Sequence, residues 1–141
     1  MSLPARTMRH RIFQALGPAI GPGSRLEALR AGLGALVGLG VAGLFMLSPS
    51  PDQTLGLYLI APFGATSVLV FAVPNSPLAQ PWSAVVGNGA AAIVGVLACM
   101  LVPDPALRIA LAVGLSVARL IPLRAVHPPA GAVAMTAAMN P

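Results

Sequence analysis

One histidine and the two prolines after it are the residues of this sequence best suited to chemistry. His127 precedes Pro128 and Pro129, and the second histidine, His10, lies near the N-terminus. An imidazole can relay a proton, sense pH or pair with an anion. A residue before a proline avoids the helical region, whereas prolines fit the first turn of a new helix. We therefore expect a helix to begin here, with His127 beside its N-terminus. The alternative is a histidine that ends a helix and bonds to a carbonyl.

A second proline-containing stretch, PFGATS at residues 62–67, interrupts an apolar segment. Pro62 predicts a kink or break, because proline lacks the helical N–H and clashes with the preceding turn. Backbone N–H groups freed at a broken helix favour an anion. We expect both stretches to approach each other along one path for the anion; the alternative is that both are packing kinks. The candidate substrate-binding residues are Pro62, Gly64, Thr66, Ser67, His127, Pro128, Pro129 and Gly131.

Arginine supplies the fixed positive charge near these stretches. Arg119 and Arg124 lie close to the end of an apolar segment. An arginine at membrane depth is costly and usually functional, while one near a membrane surface more often anchors the topology. Arg119 is therefore a further candidate for attracting the anion, with a topology anchor as the alternative. Protonation of His127 would add positive charge, so we expect transport to rise as pH falls.

The composition predicts a membrane protein. Hydrophobic residues make up 57% of the 141 residues and charged residues only 8%, against about 25% in soluble domains. Each pass needs roughly 20 apolar residues. After a polar, basic N-terminal segment (residues 1–28), the sequence therefore predicts an all-α, polytopic membrane helix bundle with about four transmembrane helices and Pro/Gly-broken segments. The four apolar segments are residues 29–47, 55–73, 84–102 and 106–123.

The arginines predict the orientation of this bundle. Seven of the eight lie within residues 1–30 or near the end of the fourth segment. Because cytoplasmic loops are enriched in basic residues, both termini and the His127 region are expected in the cytoplasm, most simply at a bacterial inner membrane. The Gly/Ala-rich faces of the first and third segments predict a homo-oligomer, a dimer or trimer. Four thin helices can hardly enclose a polar path alone.

Other function classes find little support in the sequence. The three acidic residues form no pair at membrane depth, and the chain has no lysine for a phosphate-binding loop. Cys99 is the single cysteine, and no Cys/His group has the spacing of a metal site. The arginines flank apolar segments and form no basic face for nucleic acid. We therefore expect no enzyme, no cofactor, no metal and no nucleic-acid partner; the partners are the lipid bilayer and a small inorganic anion.

These residues together resemble the HPP family of bacterial and plastid integral membrane proteins. His127-Pro128-Pro129 followed by AGA is similar to the motif that names the family, and APFGATSVLVFAVPNSPLAQPW at residues 61–82 is similar to its upstream stretch. The resemblance covers roughly residues 30–141. It implies about four transmembrane helices and a transporter, with nitrite as the best guess because plastid members are linked to nitrite transport. A non-transporting membrane subunit or scaffold is the alternative.

The length after the HPP motif differs from the family pattern. The chain continues to Pro141, about 14 residues beyond His127. As a helix these residues extend about 21 Å, short of the hydrocarbon core of roughly 30 Å. HPP proteins commonly continue through a further apolar segment. We therefore expect residues 29–141 to be an HPP-type transmembrane domain truncated at its C-terminus.

Overall fold

The computed structural model describes residues 23–46 and 53–139, and all regular secondary structure within these two ranges is helical. The α-helices are α1 (Arg25–Met46), α2 (Gln53–Ser67), α3 (Pro81–Leu101), α4 (Pro105–Leu120) and α5 (Pro129–Met139). A π-helix, Val68–Ala72, continues α2, and a 3-10 helix, Pro77–Ala79, precedes α3. The predicted all-α architecture is confirmed for this part of the chain.

Two of the described helical stretches are long and apolar enough to cross a membrane. They are Arg25–Leu44 and Pro81–Leu101. Ile60–Ala72 and Pro129–Met139 are apolar but shorter. These helices agree with a helical membrane protein. Their lengths and composition do not confirm the predicted count of four transmembrane passes.

The first helix begins earlier than the predicted boundary at residue 28. Ser24 and Glu27 form a capping box: the Ser24 N–H donates to Glu27 Oε2 over 2.8 Å, and the Glu27 N–H donates to Ser24 Oγ over 3.1 Å. Such reciprocal bonds satisfy N–H groups at the start of a helix, so α1 begins at Arg25. Residues 1–22 of the predicted N-terminal segment, and the loop containing Asp52, lie outside the described residues.

Of the kink or break predicted at Pro62, the break is wrong. Pro62 lies inside the continuous helix α2, and the departure from α-helical geometry comes later, at Val68–Ala72. Membrane helices tolerate proline because neighbouring helices and hydroxyl side chains satisfy the freed backbone groups. Where α2 passes into the π-helix, Ser67 Oγ donates to the Phe63 carbonyl, one turn earlier, at a distance of 2.9 Å.

Helices α3, α4 and α5 form a three-helix unit with a core of small side chains. Buried residues recur about every four positions on each helix, so each helix presents one stripe of small residues to the others. The stripes are Ser83, Gly87, Ala91, Gly95 and Ala98 on α3, Ala112, Ser116 and Leu120 on α4, and Ala130, Ala134 and Ala138 on α5. A Cβ on Gly95 would lie 2.5 Å from the Ala134 carbonyl oxygen, so α3 and α5 pack almost backbone to backbone.

Helices α1 and α2, with the π-helix, form a hairpin unit. Phe71 packs against Gly34 and Gly38, and Ile60 approaches Gly43, so the two helices run antiparallel. Apart from the short turn into α3, the hairpin unit meets the three-helix unit mainly through contacts between α2 and α5. Most of α1 remains exposed, in keeping with a helix whose surroundings are lipid or another chain.

The arginines gather at one end of these helices, which we call the basic end. The start of α1 lies beside residues 71–75, and the end of α4 is joined to α3 by a bond from Trp82 to Leu123. The charged residues here are Arg25, Glu27, Arg30, Arg119 and Arg124, whereas the described residues of the opposite end carry Asp104 and Arg108. From the basic end, α5 runs parallel to α3. The end of α5 at Met139 therefore lies farther from the basic end than its start at Pro129.

Candidate functional site

His127 is the largest fully buried side chain of the described residues, with 0% of its surface exposed. Its Nδ1 lies 2.8 Å from the Leu78 carbonyl oxygen, and its Nε2 lies 3.0 Å from Thr66 Oγ1. A carbonyl oxygen only accepts, so Nδ1 carries a hydrogen and donates. In the neutral imidazole, Nε2 then accepts from the Thr66 hydroxyl. We call this set the His127 junction; it joins the hairpin unit to the three-helix unit.

The turn after α4 brings His127 to this position. The Ala125 N–H donates to the Leu120 carbonyl and the Arg124 N–H to the Ile121 carbonyl, both over 3.0 Å. These two bonds form a Schellman motif, the usual way to satisfy the last carbonyls of a helix. Arg124 occupies the left-handed position with φ 52°, where glycine is the common residue. The chain therefore reverses sharply and passes back across α3.

Gly87 provides the space for the returning chain. A Cβ at Gly87 would lie 2.6 Å from the Ala125 carbonyl oxygen and 3.1 Å from His127 Cβ. No side chain fits against a backbone oxygen at such a distance. Glycine at this position therefore sets how deeply His127 enters between α2 and α3.

The loop before α3 holds the carbonyl that His127 bonds. The Leu78 N–H donates to Ser76 Oγ over 3.2 Å, and Ser83 Oγ donates to the Pro77 carbonyl over 3.3 Å. The Ala79 N–H donates to the Ser76 carbonyl over 3.0 Å. These bonds fix the 3-10 turn on which Leu78 lies. Sequence reasoning missed Leu78, since its contribution is a backbone oxygen that no residue type marks.

The start of α5 has few N–H groups to offer a ligand. As predicted, a helix begins at this motif, and Pro129 is its first residue. The Ala130 N–H, however, donates to the His127 carbonyl over 2.9 Å, and the Gly131 N–H to the Pro128 carbonyl over 3.2 Å. Pro128 and Pro129 have no N–H. The predicted presentation of these amides to an anion is therefore absent from this conformation.

The candidate residues of α2 form two groups: one residue is hydrogen-bonded to His127, and the others are not. Thr66 meets His127, so the two predicted stretches do approach each other. Pro62, Gly64 and Ser67 lie within continuous helix. Pro62 has no N–H, and the N–H groups of such a helix bond to carbonyls one turn earlier. No N–H group is freed for an anion by a break, because the helix is not broken. A Cβ at Gly64 or at Gly131 would meet nothing within 4 Å, so neither glycine marks a close contact.

Arg119 lies outside the His127 junction. It lies in the last turn of α4 and lines a separate groove between α3 and α4. The structure thus brings together Thr66 and His127 from the predicted set, and places the predicted anion-attracting arginine elsewhere.

Three polar atoms of the described residues are buried without a hydrogen-bond partner: Asn88 Oδ1, Arg108 Nε and Ser116 Oγ. Ser116 is 1% exposed and lies in the small-residue core of the three-helix unit. Within residues 23–46 and 53–139, no group of three or more His, Cys, Asp or Glu side chains is placed to hold a metal ion. The His127 junction brings a fully buried imidazole together with a hydroxyl and a backbone carbonyl.

Comparison with known proteins identifies the family to which this sequence is similar. The family model of the HPP transmembrane region matches residues 21–141. A transmembrane protein of Dictyostelium discoideum is 41% identical over 86 residues, which cover 58% of this chain and 30% of that protein. A second transmembrane protein of the same organism is 38% identical over 88 residues, covering 60% of this chain and 28% of its relative.

The matched region spans less than a third of the length of these relatives. No solved structure matches the chain. The family match includes the complete His127 junction, from Thr66 through Leu78 to the HPP motif. On this match, the chain belongs to the HPP family of transmembrane proteins.

Proposed function

We propose that this chain is the membrane-embedded module of a transporter for a small inorganic anion. The observation that carries the proposal is the His127 junction, a fully buried imidazole bonded to two different parts of the fold. Polar and ionisable side chains inside a membrane bundle are costly and mark functional positions. Transporters commonly move two helical units against each other around such a position. Here the hairpin unit and the three-helix unit are the two bodies.

The module would cross the membrane four times through α1 to α4, with α5 entering again from the basic end. Helix α2 together with its π-helix extends about 30 Å at 1.5 Å per residue, and α4 about 24 Å. The excess of arginine at the basic end supports a proposed orientation in which that end, and the N-terminus, face the cytoplasm at a bacterial inner membrane. Maleimide labelling from outside the cell of Asp104→Cys, but not of Arg124→Cys, on a Cys99→Ala background would support this orientation.

An anion is the substrate class that the charges favour. The described basic end carries four arginines and one glutamate, so its positive electrostatic potential attracts anions to this end of the bundle. Nitrite is the particular anion predicted by the family resemblance alone.

Opening of the His127 junction is the proposed transport step. While the junction is closed, both nitrogens of His127 are bonded and the ring is buried. Movement of the hairpin unit away from α5 would separate Thr66 from His127. That movement would free His127 Nε2 and the Thr66 hydroxyl for a small substrate, while the bond to the Leu78 carbonyl still orients the ring.

A membrane subunit or scaffold is the second candidate function. Its support is the same burial: an imidazole with both nitrogens bonded acts as a structural cross-link between helices. The buried residues of the three helices are mostly alanine, glycine and serine, with Leu120, Pro129 and Thr136. The scaffold role requires only that the junction stays closed.

Self-association is compatible with both the transporter and the scaffold function. We propose a homo-oligomer in which α1 packs against a second copy. Large apolar side chains of α1 are exposed, among them Leu33, Leu36 and Val37. A Cβ at Gly32 or Gly40 would meet nothing within 4 Å, which leaves room for the backbone of another helix.

Uptake of nitrite, nitrate and chloride into proteoliposomes that contain the purified chain tests the two functions. The transport proposal expects uptake above protein-free vesicles. Thr66→Val removes the hydroxyl at nearly constant volume and should change the rate, whereas Thr66→Ser keeps the hydroxyl and serves as the matched control. Folded protein that gives no uptake of any of the three anions would contradict transport and favour the scaffold.

A further inference from the structure

A groove on the outside of the three-helix unit combines an apolar floor with a single charge. It lies between α3 and α4 and has a volume of about 250 Å³. It runs from the last turn of α4 toward the last turn of α3. Its main lining residues are Val94, Leu97, Leu101, Leu111, Leu115 and Arg119.

The groove faces the surroundings of the bundle. Leu97 and Leu115 are about half exposed, and Leu101 is exposed still further. In a membrane helix, a surface of this kind is in contact with acyl chains or with another protein. The groove extends about 12 Å along α4 from Leu111 to Arg119. One leaflet of the hydrocarbon core is about 15 Å thick. A single acyl chain therefore matches the groove in both polarity and length.

Arg119 gives the groove a preference for negative charge. It is the one charged residue among those lining the groove. The two carboxylates of the described residues are occupied elsewhere: Glu27 accepts from Ser24, and Asp104 accepts from the Leu107 N–H over 2.7 Å. A guanidinium binds phosphate oxygens with two parallel hydrogen bonds. Arg119 lies toward the basic end, where a lipid headgroup would meet it.

We propose that this groove binds one acyl chain of an anionic phospholipid, with the lipid phosphate held by Arg119. Basic residues between membrane helices recognise anionic headgroups in this way. The occupancy depends on the charge of the headgroup and on the shape of the groove. Lipid binding in the groove does not depend on the His127 junction, so it can be tested independently of transport.

Native mass spectrometry of the purified chain, equilibrated with equal amounts of phosphatidylglycerol and phosphatidylcholine, tests the proposal. We expect the chain to retain about five times more phosphatidylglycerol than phosphatidylcholine. This ratio is the effect expected of one arginine near an anionic lipid surface. Arg119→Gln should remove the preference. Arg124→Gln is the matched control, since Arg124 shares the basic end but does not line the groove, and it should keep the preference. Leu115→Trp should reduce the retention of both lipids by filling the groove.

Three results would overturn the proposal. One is an unchanged preference in Arg119→Gln, and another is an equal loss of preference in Arg124→Gln. The third is that a second copy of the chain covers the groove. That arrangement would appear as disulfide-linked dimers of Leu115→Cys on a Cys99→Ala background, formed in membranes before detergent is added.

Discussion

Gly87 and Ala125 approach so closely that a Cβ on Gly87 would lie 2.6 Å from the Ala125 carbonyl oxygen. This contact lets the chain after α4 pass directly over α3, which places His127 within 3.0 Å of Thr66 on α2. The close passage of the chain over α3 and the polar contact with the hairpin unit thus both depend on Gly87.

Gly87→Ala should destabilise the protein by about 1–3 kcal/mol, the usual cost of an added methyl group in a tightly packed site. The backbone oxygen of Ala125 cannot turn away as a flexible side chain would. Gly89→Ala is the matched control: it lies on the same helix, a Cβ there meets nothing within 4 Å, and it should be neutral or stabilising by up to about 1 kcal/mol. Thermal unfolding in detergent, followed by Trp82 fluorescence, measures both. Equal stability of the two variants would contradict the close contact.

Thr66→Val should destabilise the protein by about 1 kcal/mol, because it leaves His127 Nε2 buried without its partner. Thr66→Ser retains the hydroxyl and should lose less. His127→Ala should cost more than Thr66→Val, because it removes the bonds to both Thr66 and Leu78. A Thr66→Val/His127→Ala double variant tests the coupling: its loss should be smaller than the sum of the two single losses. Strict additivity would show that the two side chains do not interact.

Arg124→Gly should stabilise the turn after α4 by about 1 kcal/mol, because it relieves the left-handed conformation of a residue with a side chain. The control is the same substitution five residues earlier. Arg119 lies in the last turn of α4, so Arg119→Gly should destabilise the protein by about 1 kcal/mol through lower helix propensity. Opposite signs for the two substitutions in urea or thermal unfolding would support the Schellman motif, and a loss of stability in Arg124→Gly would speak against it.

Part of this architecture is visible in the sequence because helix periodicity is local. The tandem prolines after His127 predict where α5 begins. Gly87, Ala91 and Gly95 recur at the four-residue spacing of one helix face, but this face, predicted to contact another copy of the chain, packs inside the three-helix unit. The approach of the PFGATS and HPP stretches was also predicted, and Thr66 and His127 make that contact.

Structure and sequence-based expectation differ where contacts between distant segments determine the local geometry. Pro62 predicts a break from local rules, yet the helix continues through it, since packing outweighs the loss of one backbone bond in a membrane helix. The anion site at backbone amides was expected because helix starts expose N–H groups. Here the preceding carbonyls of His127 and Pro128 occupy them. Leu78 was missed because the partner of a carbonyl depends on which distant segment folds beside it.

The central claim is that His127 is a buried cross-link whose Nδ1 donates to the Leu78 carbonyl and whose Nε2 faces the Thr66 hydroxyl. Nitrogen NMR of ¹⁵N-histidine-labelled protein, on a His10→Gln background that leaves one histidine, reads this arrangement directly. The account predicts a hydrogen on Nδ1 that exchanges slowly with water, an unprotonated Nε2 in the neutral ring, and a change in the Nε2 signal in Thr66→Val. A ring protonated only at Nε2, or one whose hydrogen exchanges rapidly and whose signals ignore Thr66→Val, would contradict the account.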